Sequence, residues 1–537
     1  MFFALSAVFA ACGALGSCAD ERETAQEGGG GAAVARMSEE MAAVRDLVPL
    51  YAVVAHRGTT YWAPEETEAA WRWAREMGAD YLESDLQSSK DGVLLANHDE
   101  SLRRTTDIDA VYGGKVPSTR RDFYRSFVSA DGTQLFTEDD IEAQLQRDEA
   151  DFVPYRTASY YYHELLALDA GAWFNTACPE RARASFAKEG GTHLYVSALQ
   201  DQMAYATGRM LRRDADGERV LPYRVKDKYR GMTLAEIYAS EKSTAKCDEA
   251  GVAYAFAQSY MDFVEYDFAG AYTDDPQDTG HRPGLYLEFK KPEANPGDME
   301  VRTYNLLAEE GWNAVTAPAG DVPFYKDGRV NVGKTDGRVI LQTFSKDALG
   351  RAFEVFKGKV PMCYLLWRKD GDAAAQYDTR EGYAALIKEG LENGAHIMGP
   401  SIAGEPSNYA ELDAPWQAAL TRQAGMLCHP YTFDTEAQMD FYTGHGDKAE
   451  KSDYDALLRV AVPPTAHTVF TETDSAAVRL DGLFTNRADL SLSYLIAHGL
   501  RCNAALPNPL RPGRVYDDSQ APAAVPDAEA TLRRLGY

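Results

Sequence analysis

The sequence predicts an α/β protein built from successive parallel βαβ units. Short apolar segments of strand length recur along the chain, and segments of helical character separate them. Strands that alternate with helices in this way form a parallel sheet. With 537 residues, the chain has room for several domains or for one elaborated barrel. The eight predicted strands are Val53–Ala55, Asp80–Gln87, Leu285–Lys290, Val339–Phe344, Pro361–Trp367, Ala395–Met398, Gly425–Cys428 and Asp481–Phe484.

The first predicted βα unit begins with the apolar run Val53–Ala55, which leads directly into His56–Gly58. Glycine permits a sharp exit from the strand and a close approach of the backbone. A helix is predicted next, with Pro64 near its start, Glu65–Glu66 at the positive end of its dipole and Gly78 as its C-terminal cap. One buried face is predicted from residues at helical spacing, namely Ala70, Trp73, Ala74 and Met77.

The second predicted strand, Asp80–Gln87, carries two carboxylates on one face. Side chains alternate across a strand, so Glu83 and Asp85 point the same way. Two adjacent carboxylates repel each other, and a hard divalent cation bound by their oxygens removes that repulsion. The next extended run, Val93–Ala96, leads to His98, and we assign it to a hairpin beside the main sheet.

Three separated motifs resemble the glycerophosphodiester phosphodiesterase family. They are HRG at 56–58, GADYLESDLQSSKDG at 78–92 and HDESLRRTTD at 98–107. The resemblance covers roughly 50–175 and 284–495. It implies a TIM-type (β/α)8 barrel with long insertions over the catalytic face, one divalent cation (Ca²⁺ or Mg²⁺) and hydrolysis of a phosphodiester.

Two later segments are similar to the periplasmic bacterial branch of this family. They are HPYT at 429–432 and DGLFT at 481–485. Two positions depart from the family pattern, since Asn486 stands where aspartate is usual and Glu66 stands where many members have asparagine. Neither departure touches the implied catalytic set, so both bear on the substrate more than on the reaction.

The resemblance implies a role for each residue of the site. Two histidines would serve as general acid and general base, in an order that the sequence leaves open. The attacking group is also open, either water or the glycerol 2-hydroxyl, which would first give a cyclic phosphate. The implied set is His56 and His98 for proton transfer, Glu83, Asp85 and Glu288 for the metal, Arg57 and Lys290 for the phosphate, and Trp173, Phe174, His429 and Tyr431 as candidate substrate walls.

The net charge of −27 argues against nucleic acid as a partner, because its phosphates call for a basic surface. An anionic substrate must instead be attracted locally, by a metal or by a few cations. A small-molecule glycerophosphodiester is the expected substrate, and we infer no protein partner.

The N-terminus predicts export. Residues 1–18 carry no charge, are largely apolar or small, and are short for a membrane span. Leu15–Cys18 resembles a bacterial lipobox, which implies lipidation of Cys18 and membrane contact through that anchor. Plain secretion and a misassigned start are alternatives, because an early Lys or Arg is missing and Cys12 competes. We expect an exported protein, either periplasmic or a cell-envelope lipoprotein.

Two long segments interrupt the family pattern, at 107–157 and 175–284. The second has helical pieces at Gln200–Leu211 and Thr233–Ser240, and we interpret it as an insertion capping the catalytic face, with a packing elaboration as the alternative. The predicted organisation is a signal at 1–18, a tether and lead-in at 19–50, the barrel at 51–500 and a tail at 501–537.

Cysteine positions give one further expectation. Cys363 and Cys428 lie in apolar, strand-like runs and are predicted to be buried thiols. Export permits a disulfide between Cys178 and Cys247 in the long middle segment.

Two other functions compete with the phosphodiesterase. The first is a phospholipase of the same barrel superfamily, acting on intact lipid or on a teichoic-acid-like polymer. The second is a tethered lipoprotein that binds glycerophosphodiesters without cleaving them. Pure binding gives no reason for two histidines beside three carboxylates, so the sequence favours an enzyme.

Overall fold

Eight parallel strands form the ring at the centre of the protein. The structure is a computed structural model, and it describes residues 34–128, 132–134, 136–226, 232, 236, 264–295, 299–444, 479–501 and 524–537. The described strands are β1 (Ala52–Ala55), β2 (Tyr81–Ser88), β3 (Leu94–Ala96), β4 (Arg209–Leu211), β5 (Tyr223–Val225), β6 (Val264–Tyr266), β7 (Tyr272–Asp274), β8 (Gly284–Phe289), β9 (Tyr325–Lys326), β10 (Arg329–Val330), β11 (Val339–Thr343), β12 (Met362–Leu366), β13 (Ile397–Pro400), β14 (Leu427–Cys428) and β15 (Gly482–Thr485).

Helices cover the outside of this ring. The described helices are α1 (Glu39–Arg45), α2 (Glu68–Met77), α3 (Ile108–Val111), α4 (Arg120–Arg125), α5 (Glu138–Asp151), α6 (Tyr162–Leu165), α7 (Phe174–Ala177), α8 (Leu199–Ala206), α9 (Met299–Glu309), α10 (Lys346–Val355), α11 (Ala374–Tyr377), α12 (Arg380–Glu392), α13 (Pro415–Gln423), α14 (Glu436–Thr443), α15 (Ala488–Ala497) and α16 (Ala528–Leu535).

The ring order is β14, β13, β12, β11, β8, β2, β1, β15, and every pairing is parallel. It closes where the backbone N–H of Asp481 donates to the carbonyl of Cys428 (2.8 Å) and that of Phe484 to Pro430 (3.1 Å). The eight predicted barrel strands are therefore confirmed. The Val93–Ala96 hairpin is also confirmed, since β3 pairs antiparallel with β2.

The strand register sets the geometry of the inner layer. Asp85 lies opposite Glu288, and Glu288 lies opposite Gln342 on the next strand. Inward-pointing side chains of a closed barrel stack in layers, so these polar groups meet. All eight residues of β2 are buried, because one face fills the barrel and the other packs under helices.

Helix α2 is more buried than its amphipathic pattern predicts. Its ten residues are all buried, because α8 and the C-terminal helix α16 cover its outer face. Trp73 Nε1 donates to the carbonyl of Ala528 (3.0 Å). Gly78 ends the helix at φ +91°, as expected. The predicted start was too early, because the helix begins at Glu68 and leaves Glu65–Glu66 in the preceding turn.

The described part of residues 175–284 packs on the side of the barrel. Helix α8 lies against α2 and β2, in the position of the helix of the second βα unit. Its helical conformation ends at Ala206 and β4 follows, so the predicted helix to Leu211 was too long. The described residues of this segment do not line the cavity at the carboxyl ends of the barrel strands, so they fit the packing alternative better than the cap. Residues 227–231, 233–235 and 237–263 lie outside the described residues, and the predicted helix Thr233–Ser240 falls almost entirely within them.

Several N-terminal and cysteine predictions fall outside the described residues. Residues 1–33, with Cys18, are not among them, and neither is Cys247, so the lipidation and the disulfide with Cys178 stay predictions. Cys363 and Cys428 are buried thiols, as expected. In the part of the chain that the structure describes, each helix is too short or too polar to cross a bilayer.

Candidate active site

A cavity of about 1030 Å³ opens at the carboxyl ends of the barrel strands. This is the end where (β/α)8 barrels carry their catalytic groups. Six of the seven residues predicted for catalysis, metal and phosphate line it, and the seventh, Asp85, contacts two of the six. The six are His56, Arg57, Glu83, His98, Glu288 and Lys290.

Three buried carboxylates form the floor of the site. Glu83, Asp85 and Glu288 each offer an oxygen, and these three atoms lie within 4.8 Å of one another. Lys290 Nζ lies 3.3 Å from Asp85 Oδ1 and 3.2 Å from Glu288 Oε1. Arg57 Nε lies 3.1 Å from Asp85 Oδ2. The side chains of Lys290 and Arg57 therefore neutralise part of the negative charge of the three carboxylates.

The carboxylates differ in their affinity for protons. Burial, and after it the charge of Asp85, raises the pKa of Glu83 well above its usual range. Burial and the charge of Asp85 also raise the pKa of Glu288, to about 8, although Lys290 opposes the shift. Burial acts the same way on Asp85, but Lys290, His98 and Arg57 together hold its pKa below the usual value. A divalent cation in this position would favour all three carboxylates in their charged form.

In the HRG segment, the backbone and the side chain of Arg57 both contact the carboxylates of the site. The N–H of Arg57 donates to Glu83 Oε2 (2.6 Å), and the residue adopts φ +52°. Gly58 follows at φ +78°, and a Cβ there would lie 2.8 Å from Ala70 and Trp71. Only glycine fits this turn against α2, and the turn places the arginine over the carboxylates.

His56 is held by an amide. Its Nδ1 lies 2.7 Å from Asn486 Oδ1, and Asn486 Nδ2 donates to Asp434 Oδ1 (2.8 Å). The amide oxygen is thus directed at the imidazole, which carries its proton on Nδ1 when neutral. Burial, and next the charge of Arg57, lowers the pKa of His56 to about 3.

His98 is held by a carboxylate. Its Nδ1 lies 2.7 Å from Asp99 Oδ1, and Arg104 Nε donates to Asp99 Oδ2 (2.6 Å). Arg104 also donates to Glu65 Oε1 (2.7 Å), which pairs with Arg57 (3.1 Å). Burial and the charge of Arg57 lower the pKa of His98, and Asp85 and Asp99 oppose that shift.

Sequence reasoning missed most of the groups that support the predicted set, and it was wrong that Glu66 and Asn486 do not touch that set. Gln342 Nε2 donates to Glu83 Oε1 (3.1 Å), and Glu66 Oε1 accepts from the N–H of Asp85 (2.7 Å). One signal was available for Gln342, a polar residue inside the apolar run VILQTF. The supporting residues are Glu65, Glu66, Asp99, Arg104, Gln342 and Asn486.

The four residues predicted to form substrate walls differ in where the structure places them. Tyr431 lines the cavity. Trp173 and Phe174 do not, since Phe174 is fully buried against Phe186 and Trp173 packs on the same core. His429 is fully buried inside the barrel, with Nδ1 3.3 Å from the hydroxyl of Tyr286. Of the four candidate walls, the cavity lining therefore contains Tyr431 alone, while Phe174 and His429 are buried and Trp173 packs partly buried on the core.

Comparisons with known proteins give the following matches. The sequence profile of the glycerophosphoryl diester phosphodiesterase family matches residues 56–188. A glycerophosphodiester phosphodiesterase from Arabidopsis thaliana is 53% identical over 55 residues, which cover 10% of this chain and 15% of that relative. The solved structure of a phosphodiesterase from Oleispira antarctica, in complex with the product sn-glycerol-3-phosphate, has a TM-score of 0.38 and 13% identity, and the match covers 83% of this chain and 97% of that chain.

A longer match extends well beyond the motifs. A glycerophosphodiester phosphodiesterase from Bacillus subtilis (strain 168) is 30% identical to this chain over 386 residues. The match covers 72% of this chain and 78% of the relative. It therefore spans most of both proteins, and the chain belongs to the glycerophosphodiester phosphodiesterase family.

Proposed function

We propose that this protein hydrolyses glycerophosphodiesters to glycerol 3-phosphate and an alcohol, with a divalent cation and the histidine pair His56 and His98. One observation carries the proposal. The three clustered carboxylates adjoin the same cavity as both histidines, and each histidine is fixed by its own partner. Such a set supplies charge neutralisation, a base and an acid, which a phosphodiester needs.

The donor set suits a hard cation. It consists of carboxylate oxygens, which Ca²⁺ and Mg²⁺ prefer. Asp85 Oδ2 and Glu288 Oε1 are buried and accept no hydrogen bond within the described residues, although each lies near a cation. Glu83, Asp85 and Glu288 would hold the ion. When bound, it would act as a Lewis acid on a phosphate oxygen.

Arg57 and Lys290 would bind the remaining phosphate charge. Both line the cavity beside the carboxylates. The planar guanidinium can donate two parallel hydrogen bonds to phosphate oxygens, and the ammonium acts as a point charge. Their carboxylate partners hold both groups in place before substrate arrives.

We infer the roles of the two histidines from their hydrogen-bond partners. In each ring Nδ1 is engaged, so Nε2 is the atom left for proton transfer. His56 faces a neutral amide, and its lowered pKa leaves Nε2 unprotonated at neutral pH, so it is the base that takes the proton of the attacking hydroxyl at Nε2. His98 faces the carboxylate of Asp99, which stabilises the imidazolium, so it is the acid and gives its proton to the departing alcohol oxygen.

The experiment measures release of glycerol 3-phosphate from glycerophosphocholine by the full-length protein. We expect release with added Ca²⁺ or Mg²⁺ and none with excess EDTA. His98→Ala should keep the fold and metal affinity but lose about 10²-fold or more in rate. Release that persists in EDTA would refute the metal requirement. A bound but uncleaved diester would favour the binding lipoprotein instead, and cleavage of intact lipid alone would favour the phospholipase.

We also propose export, on the basis of the N-terminal sequence. The protein would be an exported, periplasmic or cell-envelope lipoprotein, anchored through Cys18. Labelling with radioactive palmitate in a bacterial host should mark the wild-type chain and not Cys18→Ser. Equal labelling of both would refute lipidation at this residue.

A further inference from the structure

The cavity continues beyond the phosphate-binding end along a row of aromatic side chains. Phe344, Tyr431, Tyr409 and Trp367 line this part, and we call them the aromatic run. Lys290 Nζ lies 5.5 Å from the centre of the Phe344 ring, and that ring lies 6.1 Å from Tyr431. Tyr409 lies 6.1 Å from Tyr431 and 4.8 Å from Trp367. The run therefore leads from a phosphate-binding cation away from the carboxylates.

Four successive βα loops build the run. Phe344 follows β11, Trp367 follows β12, Tyr409 lies after β13 and Tyr431 after β14. The Tyr431 hydroxyl donates to the carbonyl of Leu366 (2.6 Å), which fixes that ring between two loops. The run is therefore a feature of the barrel rim on the side opposite the HRG loop.

The side chains at the two ends of the aromatic run are exposed to solvent. Phe344 is 38% exposed and Trp367 is 40% exposed. Large aromatic side chains at the mouth of a cavity, with their faces open, are typical of ligand contacts.

The size of the cavity indicates which half of the substrate the aromatic run contacts. The cavity of about 1030 Å³ is at the upper end of the range for small-molecule sites. Glycerol has three carbons and can cover about one ring. A row of four rings exceeds what glycerol can contact, so the run fits the alcohol that leaves.

Polar groups at the far end select the chemistry of that alcohol. Lys369, Asp372 and Gln376 line the cavity near Trp367, and the N–H of Lys369 donates to Asp372 Oδ2 (2.7 Å). This mixture of donors and acceptors suits hydroxyl groups. The charges of Lys369 and Asp372 offset each other, so a quaternary ammonium would find aromatic faces here but no net electrostatic attraction, whereas hydroxyl groups can hydrogen-bond to both side chains.

We propose that the aromatic run, with Lys369, Asp372 and Gln376, is a subsite for the leaving alcohol, and that it prefers a neutral, ring-shaped polyol. The proposal rests on the proposed function, since it assigns the second half of the same substrate. The apolar face of the polyol ring stacks on Trp367 and Tyr409, and its hydroxyls meet the polar side chains.

The experiment compares kcat/KM for three diesters with the metal-loaded, full-length enzyme. The diesters are glycerophosphoinositol, glycerophosphocholine and glycerophosphoethanol, which carry a cyclic polyol, an ammonium and a minimal alcohol. We expect the polyol diester to exceed the other two by about tenfold. Trp367→Ala should remove about tenfold for the polyol diester and leave the ethanol diester within twofold. Lys369→Ala should lower kcat/KM for the polyol diester and raise it for the choline diester.

Matched variants separate the subsite from general damage. Trp367→Phe keeps a ring and should retain most of the preference. Phe441→Ala removes another exposed aromatic side chain, outside the cavity, and should change nothing. A greater loss for the choline diester in Trp367→Ala would overturn the polyol assignment. Equal kcat/KM for all three diesters in the wild type would overturn the subsite, whereas no hydrolysis of any would refute the proposed function itself.

Discussion

At the scale of single residues, Arg104 links the two sides of the site. It contacts Asp99, the partner of His98, and Glu65, the partner of Arg57. Arg104→Ala should lower kcat about tenfold with KM nearly unchanged, because His98 loses its alignment while the phosphate-binding groups remain. Steady-state kinetics on glycerophosphocholine measures this change. Arg104 acts through Asp99 and is thus a positioning residue.

The neighbouring arginine is a matched control for this prediction. Arg103 pairs with Asp109 on the surface, and both side chains are at least half exposed. Arg103→Ala should therefore leave kcat unchanged. Arg104→Lys can keep one of the two ion pairs and should recover part of the rate. If Arg104→Ala stays within twofold of the wild type, the proposed alignment of His98 is wrong.

Asn486 tunes His56 through a neutral oxygen. Asn486→Asp would place a negative charge 2.7 Å from Nδ1 and raise the pKa of His56 from about 3, because an opposite charge favours the imidazolium. A base must be deprotonated to act, so the acidic limb of the pH profile of kcat/KM should move to higher pH by at least about one unit. A profile measured between pH 4 and 9 tests this, because the wild type should keep its activity at the acidic end of that range whereas the variant should lose activity there.

The same substitution would also set the new carboxylate against Asp434, which accepts from the amide of Asn486 in the wild type. The double variant Asn486→Asp, Asp434→Asn restores that pair with the roles exchanged. It should keep the shifted acidic limb and recover any lost stability. An acidic limb that does not move in either variant would exclude His56 as the base.

At the scale of elements, α8 is part of the barrel wall. Gln202 Nε2 donates to the carbonyl of Leu82 (3.1 Å), and its Oε1 accepts from Ser84 Oγ (2.9 Å). Gln202→Leu leaves these buried groups without partners and should lower the free energy of unfolding by about 2 kcal/mol. Urea unfolding measures this loss. The kcat should not change, because α8 lies outside the cavity.

A second glutamine on the same helix, Gln200, serves as the control for the Gln202→Leu prediction. Gln200 Oε1 accepts no hydrogen bond within the described residues, so Gln200→Leu should cost less than Gln202→Leu. A fall in kcat without a loss of stability in Gln202→Leu would instead support the cap that the sequence suggested.

The sequence predicts strands better than helix boundaries here, for a physical reason. A strand buried on both faces is a short apolar run, and such runs at β1 and β11 are visible without a partner. Helix α2 begins later than predicted because Glu65 and Glu66 bind site groups, although their charges suit a helix N-terminus equally well. Local signals do not distinguish these two uses.

Contacts between segments that are far apart along the chain could not be predicted from the sequence. The burial of every residue of α2 depends on α16, more than 450 residues further along the chain, and no periodicity within α2 reveals that. The proposed catalytic groups could be predicted from the sequence because they lie in short motifs at strand ends. Their supports, such as Gln342 and Asn486, come from other strands and are fixed only by the ring order.

At the scale of the whole molecule, buried neutral histidines set the response to acid. His163, His281 and His396 all have a lowered pKa, caused first by burial, at about 3, 4 and 3. In the unfolded chain each returns to about 6.5, so the unfolded state binds more protons between these values. The contribution of these three histidines to the free energy of unfolding is therefore greatest above pH 6.5 and falls as the pH drops below it. One such group contributes about 1.4 kcal/mol per pH unit in this window.

His396 isolates this effect from catalysis. It lies just before β13, at the amino end of the barrel strand, and its Nδ1 accepts the N–H of Met362 (3.1 Å). His396→Asn offers an amide oxygen to the same N–H but no titrating group. Urea unfolding at pH 7.5 and pH 4.5 should show a smaller loss of stability in the variant than in the wild type, with kcat at pH 7.5 unchanged. Equal losses in both proteins would mean that His396 does not take up a proton on unfolding, and the acid response would then belong to other groups.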